Sequence, residues 1–446
     1  MARPKPISGF PELLPAQRAV ELHVLDVLRR TFELHGFANV ETRALEPMSQ
    51  LARKGEIDKE IYVVRRLHAV EGEASSDELG LHFDLTVPFA RYVLENAGHL
   101  AFPFRRYQIQ KVWRGERPQE GRYREFTQAD IDIVGQDRLA THHDVEIPLV
   151  MLEALEKLHV DLGLPPARMR VNNRQLSQGF YEGLGIGSPG AVLQRVDKVE
   201  KIGAAAVREL LSTECSLSAE QSEKVVALAQ ISSEDASFID RVRALGVSSP
   251  TLDEGLSLLA DVVSAAQKYV PGRLVADLSI ARGLDYYTGT VYETALQGYE
   301  SMGSISSGGR YDSLATDGKV TFPGVGLSLG LTRLLVPLLG KGRLVASRSV
   351  PTCVLVAVTD EETRAQAVEV AAALRSRGIP TEVAPTADKF GKQIRYADRR
   401  GIPYVWFGGT TGEVKDIRTG DQAPASSALW RPADADLTIG VTGAWT

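Results

Sequence analysis

Between residues 122 and 134 the chain reads RYREFTQADIDIV, and its even and odd positions differ in chemistry. Arg122, Arg124, Phe126, Gln128, Asp130 and Asp132 fall on even positions; Thr127, Ala129, Ile131 and Ile133 fall on odd ones. Successive side chains of a strand point to opposite faces. A strand here therefore has one apolar face that can pack on helices and one face of charges, an amide and an aromatic ring. The stretch LHFDLTVPF (81–89) alternates in the same way, with His82, Asp84 and Thr86 opposite Leu81, Phe83, Leu85 and Val87. One such strand is ordinary at a solvated sheet face. Two of them, together with ARGLDYYTGTVYET (281–294), point to a shared polar cavity. That last stretch sets Arg282, Asp285, Tyr286 and Tyr287 just ahead of a β-branched run, where strands form readily.

The rest of the chain reads as two kinds of domain. Residues 15–36 predict a helix, with Val20, Val24, Leu28 and Phe32 repeating at i+4, Pro15 suited to a first turn and Gly36 to a stop. Residues 37–135 predict mostly strands and loops, 142–163 a helix, and 165–180 a strand followed by a helix. From 185 to 268 the composition shifts to Ala, Leu, Glu, Lys and Ser with helical periodicity, a helical insertion. Strands resume at 274 and run to 334, so the first part is an antiparallel α+β domain. GKGRLVASRSV (340–350) reads as a linker. Beyond it, TCVLVAV, a helix over 360–377 with Thr359 and Glu362 as a capping box, TEVAP, a basic helix over 389–400 and IPYVWFGG give β-α-β-α-β. That order predicts a small parallel sheet with right-handed crossovers.

The chain has 446 residues, 43% of them hydrophobic, enough for roughly two or three domains. Its net charge of −6 does not by itself suggest a nucleic-acid partner. Locally the balance reverses. In FRRYQIQKVWRGERPQEGRYR (104–124), Arg105, Arg106, Lys111, Arg114, Arg117, Arg122 and Arg124 outnumber Glu116 and Glu120. Pro118 and Gly121 make its middle a loop. Guanidinium forks match phosphate oxygens, so this is either a solvated basic hairpin or a polyphosphate or nucleic-acid site. Two cysteines, Cys215 and Cys353, in no CxxC pair argue against a disulfide scaffold or zinc ribbon. No signal-peptide h-region or membrane-length apolar run is found.

Two glycine-rich stretches, SSGGRYDSL (306–314) and GVGLSLGLTR (324–333), lack the phosphate-loop pattern. Gly324, Gly326 and Gly330 miss the dinucleotide spacing by one residue and read better as close backbone packing. Arg333 beside them could stack on a flat base. His142 and His143 are adjacent on a helix and diverge, which argues against a shared metal.

Together these motifs resemble the class II aminoacyl-tRNA synthetases, and specifically the histidyl-tRNA synthetase family. RGLDYYTGTVYE (282–293) and SGGRYD (307–312) are similar to its two histidine motifs. KVWRGERPQEGRYREFTQADIDIVG (111–135) resembles motif 2, GVGLSLGLTR motif 3, and ALEP (44–47) the dimerising motif 1. LHFDLTVPFARYV resembles the amino-acid-binding strand, and KFGKQIRYADRRGIPYVWF (389–407) the anticodon-binding domain. The resemblance runs from about residue 7 to 433. It implies an α+β fold: an antiparallel sheet with flanking helices (1–184 and 269–340), a helical insertion (185–268) and a C-terminal α/β anticodon-binding domain (350–446).

It also implies roles. Arg114 and Arg282 would hold the α-phosphate and the reacting carboxylate, with Gln128 completing the catalytic set. Arg122 would meet the distal phosphates, Glu116 would belong to the ATP site with it, and Phe126 and Arg333 would sandwich adenine. Asp84, Leu85, Thr86 and Gln128 would bind the amino-acid backbone. Asp132 and Tyr287 would grip the imidazole, with Tyr286 on the same wall. Histidine, ATP with Mg²⁺ and tRNA(His) would be the substrates and partners, with no protein-held metal, and the protein would be a cytoplasmic homodimer away from membranes. Three positions depart from the family pattern: Thr332 for an acid, His82 for an arginine, and Asp132 for a glutamate found in many bacterial members. A paralogue that loads histidine, or a similar amino acid, onto a non-tRNA acceptor, and a non-catalytic regulator of histidine biosynthesis, are the alternatives. Retention of Arg282 and of a full C-terminal domain argues against the regulator.

Overall fold

The alternating segment forms the strand Glu125–Val134, central in a nine-stranded sheet. The computed structural model describes residues 4–52, 60–67, 78–281 and 287–445. Glu125–Val134 pairs antiparallel with Phe104–Trp113 on one side and Thr321–Gly330 on the other. Beyond Thr321–Gly330 follow Ser306–Thr316, Thr290–Leu296, Ala167–Asn173, Leu274–Asp277 and Ser232–Ser233 in that order, and Ala38–Asn39 closes the other edge. Among the described residues of this sheet, only the pairings of Ala38–Asn39 with Phe104–Trp113 and of Leu274–Asp277 with Ala167–Asn173 are parallel. On the apolar face Ala129, Ile131 and Ile133 are wholly buried. Tyr107 shares that burial and meets the ring of Phe32 at 5.9 Å.

The chain clusters into two compact units, one of Met1–Pro11, Val27–Val160 and Leu164–Pro337, the other of Glu12–Asp26, Asp161–Gly163 and Leu338–Thr446. In the first, the helices Pro189–Val196, Val199–Glu214, Ala219–Ala229, Phe238–Arg243 and Pro250–Tyr269 fill the segment before Leu274. Ser218 and Gln221 form a reciprocal capping box at the third of these, and Ser249 caps the last. The helices Arg174–Gly183 and Pro250–Tyr269 cross where both carry glycine: a Cβ on Gly179 would lie 2.2 Å from the Leu252 nitrogen, and one on Gly255 2.2 Å from that of Leu176.

The segment 81–89 departs from its predicted strand. Only Leu79–Leu81 is extended, in a small sheet with Leu45–Pro47 and Val63–Val64, and Thr86–Asn96 is a helix. Asp84 explains the change, because its carboxylate accepts the Val87 N–H at 3.1 Å. Pro88 sits in the first turn, where its missing N–H costs nothing. On the same helix Arg91 makes a buried two-nitrogen pair with Glu46 of the ALEP stretch, at 2.8–3.0 Å.

In the second unit Thr381–Val383, Val354–Val356 and Tyr404–Gly408 are parallel, as the β-α-β-α-β reading requires. Two antiparallel strands, Thr411–Asp416 and Gln422–Ser426, extend the sheet. Its core gathers Val354, Leu355, Val370, Leu374, Val405 and Trp406. The helix starts later than expected: Asp360, not Thr359, accepts the Thr363 N–H at 2.9 Å, and the α-helix proper is Arg364–Ser376. The linker holds a short strand, Leu344–Ala346, paired with Val441–Gly443.

Candidate active site

Two adjoining polar regions lie on the even-numbered face of Glu125–Val134. The first is a cleft lined by Arg114, Glu116, Arg122, Phe126, Gln128 and Arg333. Arg114 donates from Nε to the Phe83 carbonyl at 3.0 Å, and its guanidinium carbon lies 5.1 Å from the Phe126 ring centre. Glu116 stands between two arginines, 3.8 Å from Arg114 and 3.4 Å from Arg122. Arg333 is fixed by two carbonyls, Gly121 at 2.7 Å from Nε and Ser304 at 2.6 Å from Nη1. A guanidinium held at its edges keeps its flat face for stacking.

The second region is acidic and buried. Cross-strand register sets Arg106 opposite Asp132 and Gln108 opposite Asp130, while Gly326 and Ser328 flank them from the other neighbour. Arg106, with no exposed surface, reaches Asp132 at 2.7 Å and the Leu85 carbonyl at 3.4 Å, and lies over the Phe89 ring at 4.3 Å. The Tyr311 hydroxyl donates to the other Asp132 oxygen at 2.7 Å. Glycine is required behind them. A Cβ on Gly326 would lie 2.1 Å from Asp132 Oδ1, and one on Gly324 2.5 Å from the Tyr311 ring.

The Tyr287 ring packs against Gly309, where a Cβ would come within 2.9 Å of it. Burial, then the carboxylates of Asp132, Asp84 and Asp130, hold the Tyr287 phenol protonated far above its ordinary range. Burial does the same for Tyr311, reinforced by Asp132. Burial also raises Asp130 to about 7, against the opposing pull of Arg106 and with Asp132 adding to the rise.

A family model described as Histidyl-tRNA synthetase matches residues 9–334, and one described as Anticodon binding domain matches 352–419. The chain belongs to the histidyl-tRNA synthetase family. A histidine–tRNA ligase from Cutibacterium acnes is 67% identical with all of both chains covered, and one from Micrococcus luteus is 58% identical with 98% of each covered. The crystal structure of a histidyl-tRNA synthetase from a Nostoc species superposes with a TM-score of 0.83 at 33% identity, covering 96% of this chain and 98% of that one.

Within this histidyl-tRNA synthetase fold the residues expected at the nucleotide, Arg114, Glu116, Arg122, Phe126 and Arg333, line one cleft, and Gln128 lines it with them. Asp84 and Thr86 are carried at a helix N-terminus rather than on a strand, with Leu85 contributing its carbonyl. Arg282 and Tyr286 lie outside the described residues. Arg106, Asp130 and Tyr311 received no role from the sequence. Arg106 sat in the basic run and Tyr311 in SGGRYD, but only register puts them beside Asp132.

The departures from the family pattern have local accounts. The Thr332 hydroxyl accepts the Thr127 N–H at 2.8 Å, tying the start of the helix Leu331–Gly340 to the strand Glu125–Val134. His82 is buried and stacked on Trp113, with Nε2 2.7 Å from the Lys111 carbonyl. Burial lowers its pKa, so the ring is neutral and carries its hydrogen on Nε2. Among the described residues no group of three or more His, Cys, Asp or Glu could hold a metal ion.

Proposed function

We propose that the chain is a histidine–tRNA ligase that works in two steps. The histidine carboxylate oxygen attacks the α-phosphorus of ATP, and the bond to pyrophosphate breaks, leaving histidyl-adenylate. The terminal ribose hydroxyl of tRNA(His) then attacks the carbonyl carbon, loses its proton and displaces AMP. The observation that carries this reading is one sheet face on which an arginine-lined cleft adjoins an acidic, tyrosine-walled pocket. Arg114 and Arg282 hold the α-phosphate and the reacting carboxylate, and Arg122 the distal phosphates. Phe126 and Arg333 take adenine between them. Asp84, Thr86 and Gln128 bind the α-ammonium, and Asp132, Tyr286 and Tyr287 the imidazole. Catalysis is by positioning and charge stabilisation. Mg²⁺ would come with ATP and would neutralise phosphate charge; Glu116 is the cleft carboxylate that would reach it, since this ion binds through one or two carboxylates plus phosphates.

Residues 1–184 and 269–340 carry this chemistry, 185–268 are the insertion, and 350–446 read the tRNA anticodon. Exposed Lys389 and Arg395 on the basic helix support the last assignment. A homodimer is supported by Leu45, Val63, Val64 and Leu79, which expose 37–45% of their surface on one small sheet. A cytoplasmic setting accords with the absence, among the described residues, of a helix long and apolar enough to cross a membrane. Pyrophosphate exchange driven by each amino acid in turn, followed by charging of tRNA, tests both steps. Exchange with histidine but no transfer to tRNA would favour a non-tRNA acceptor.

A further inference from the structure

Asp130 and Asp132 share a strand face and are both buried, 2% and 3% exposed, yet their partners differ. The Asp132 oxygens are engaged, one by Arg106 at 2.7 Å and the other by the Tyr311 hydroxyl at 2.7 Å. Arg106 stands 4.0 Å from Asp130, beyond hydrogen-bond reach. Ser328 stands beside Asp130 and favours its charged form, and Asp130 Oδ1 has no hydrogen-bond partner among the described residues. A counter-ion for Arg106 would be expected at the 2.7 Å position, and Asp132 occupies it. A buried carboxylate oxygen without a donor is costly. Its retention calls for a donor that comes and goes.

Spacing says which donor. Asp130 is two residues from Gln128, about 6.6 Å along the strand, and Asp132 is four residues, about 13 Å. Five bonds of about 1.5 Å separate the α-nitrogen of histidine from its farther ring nitrogen, a span of at most roughly 7 Å. With the Gln128 and carboxylate side chains adding reach at both ends, a histidine whose ammonium sits at Gln128 passes Asp130 on its way to Asp132.

We infer that Asp130 contacts the amino-acid substrate, its buried, unpartnered oxygen accepting the imidazole N–H alongside Asp132, and so helps the pocket choose histidine. The inference rests on the reading that the chain activates histidine. A carboxylate there fixes the ring tautomer and rejects rings without an N–H, which would leave it unpaired. The groups facing Asp130 are Arg106 from one neighbouring strand, Ser328 from the other, Asp132 on its own, Asp84 from the segment before the Thr86–Asn96 helix, and Tyr287. Buried among them, Asp130 takes up a proton at about pH 7, and its protonated form no longer demands a donor.

The test is histidine-dependent pyrophosphate exchange by the full-length wild-type protein and Asp130→Asn from about pH 6 to about pH 8. At the upper end the variant should raise the KM for histidine roughly 10- to 150-fold and leave that for ATP within about two-fold. The wild-type KM for histidine should climb as pH falls by more than protonation of the substrate ring at about pH 6.5 accounts for, and the variant should keep only that substrate contribution. An unchanged histidine KM with the pH profile retained overturns the proposal. So does a matching rise in both KM values with a lowered melting temperature, which marks a purely structural role. Should the variant not fold, the wild-type protein decides with triazolylalanine, whose ring stays uncharged over this range. Its KM must rise on acidification, and a constant KM overturns the proposal. Failure of the underlying reading looks different: wild-type exchange that histidine does not drive.

Discussion

Replacing Gly326 with alanine adds one methyl group where the proposed amino-acid pocket has no room. Its Cβ would lie 2.1 Å from Asp132 Oδ1 and 2.7 Å from the Ile131 carbonyl oxygen. Gly326 is not among the glycines with positive φ, so alanine fits the backbone and the cost is the collision alone. The carboxylate cannot simply swing aside, because Arg106 and Tyr311 hold it. Turning it away from Tyr311 forfeits a hydrogen bond to a charged group, about 1.5–3 kcal/mol. Moving the strand instead costs about 1–3 kcal/mol of overpacking. If Asp132 takes the imidazole as proposed, the first route raises the KM for histidine roughly 10- to 150-fold. The KM for ATP should stay within about two-fold, because Gly330, which lines the nucleotide cleft, lies four residues further on, about 13 Å of strand. The assay is pyrophosphate exchange titrated with each substrate, beside a thermal melt. Wild-type values for both the histidine KM and the melting temperature would refute the packing argument, and an equal rise in the ATP KM would refute the assignment of Asp132.

Two further outcomes follow from charge. Asp130 is raised from an ordinary 3.8 to about 7 in the folded protein, so the stability linked to its proton is fully present below about pH 4 and lost as pH rises through 7. Near pH 8 its ionised form therefore costs up to about 4 kcal/mol, and Asp130→Asn should be more stable than wild type there but not near pH 4; equal denaturant midpoints at both pH values would contradict this. Changing exposed Lys389 and Arg395 together to glutamate should lower tRNA charging by roughly 10-fold, most sharply at low salt, while histidine-dependent pyrophosphate exchange holds; a parallel loss of exchange would contradict an RNA-reading role.

The central strand was legible because its period is local. Ala129, Ile131 and Ile133 alternate with Gln128, Asp130 and Asp132, and both faces are where parity puts them. The polar face is buried as well, which alternation cannot say. Alternation misled at 81–89, where the same pattern accompanies a capped helix; Asp84 three residues before Val87, with Pro88 next, was the competing signal. At Thr359 and Asp360 two capping residues stood side by side and only backbone geometry chose Asp360. The glycines at 324 and 326 read correctly as close packing, but what they pack against was not readable. Arg106, Asp132 and Tyr311 meet through pairings between residues up to 179 positions apart. The nucleotide side was more legible because Arg114, Glu116, Arg122, Phe126 and Gln128 lie on one hairpin, with only Arg333 of the expected set elsewhere.

The most direct measurement is ATP–pyrophosphate exchange by the wild-type protein with each of the standard amino acids in turn. Exchange driven by histidine well above any other, followed by transfer of labelled histidine to tRNA(His), is the predicted result. Exchange driven better by a different amino acid, or by none, would contradict the reading of the acidic pocket as a histidine site.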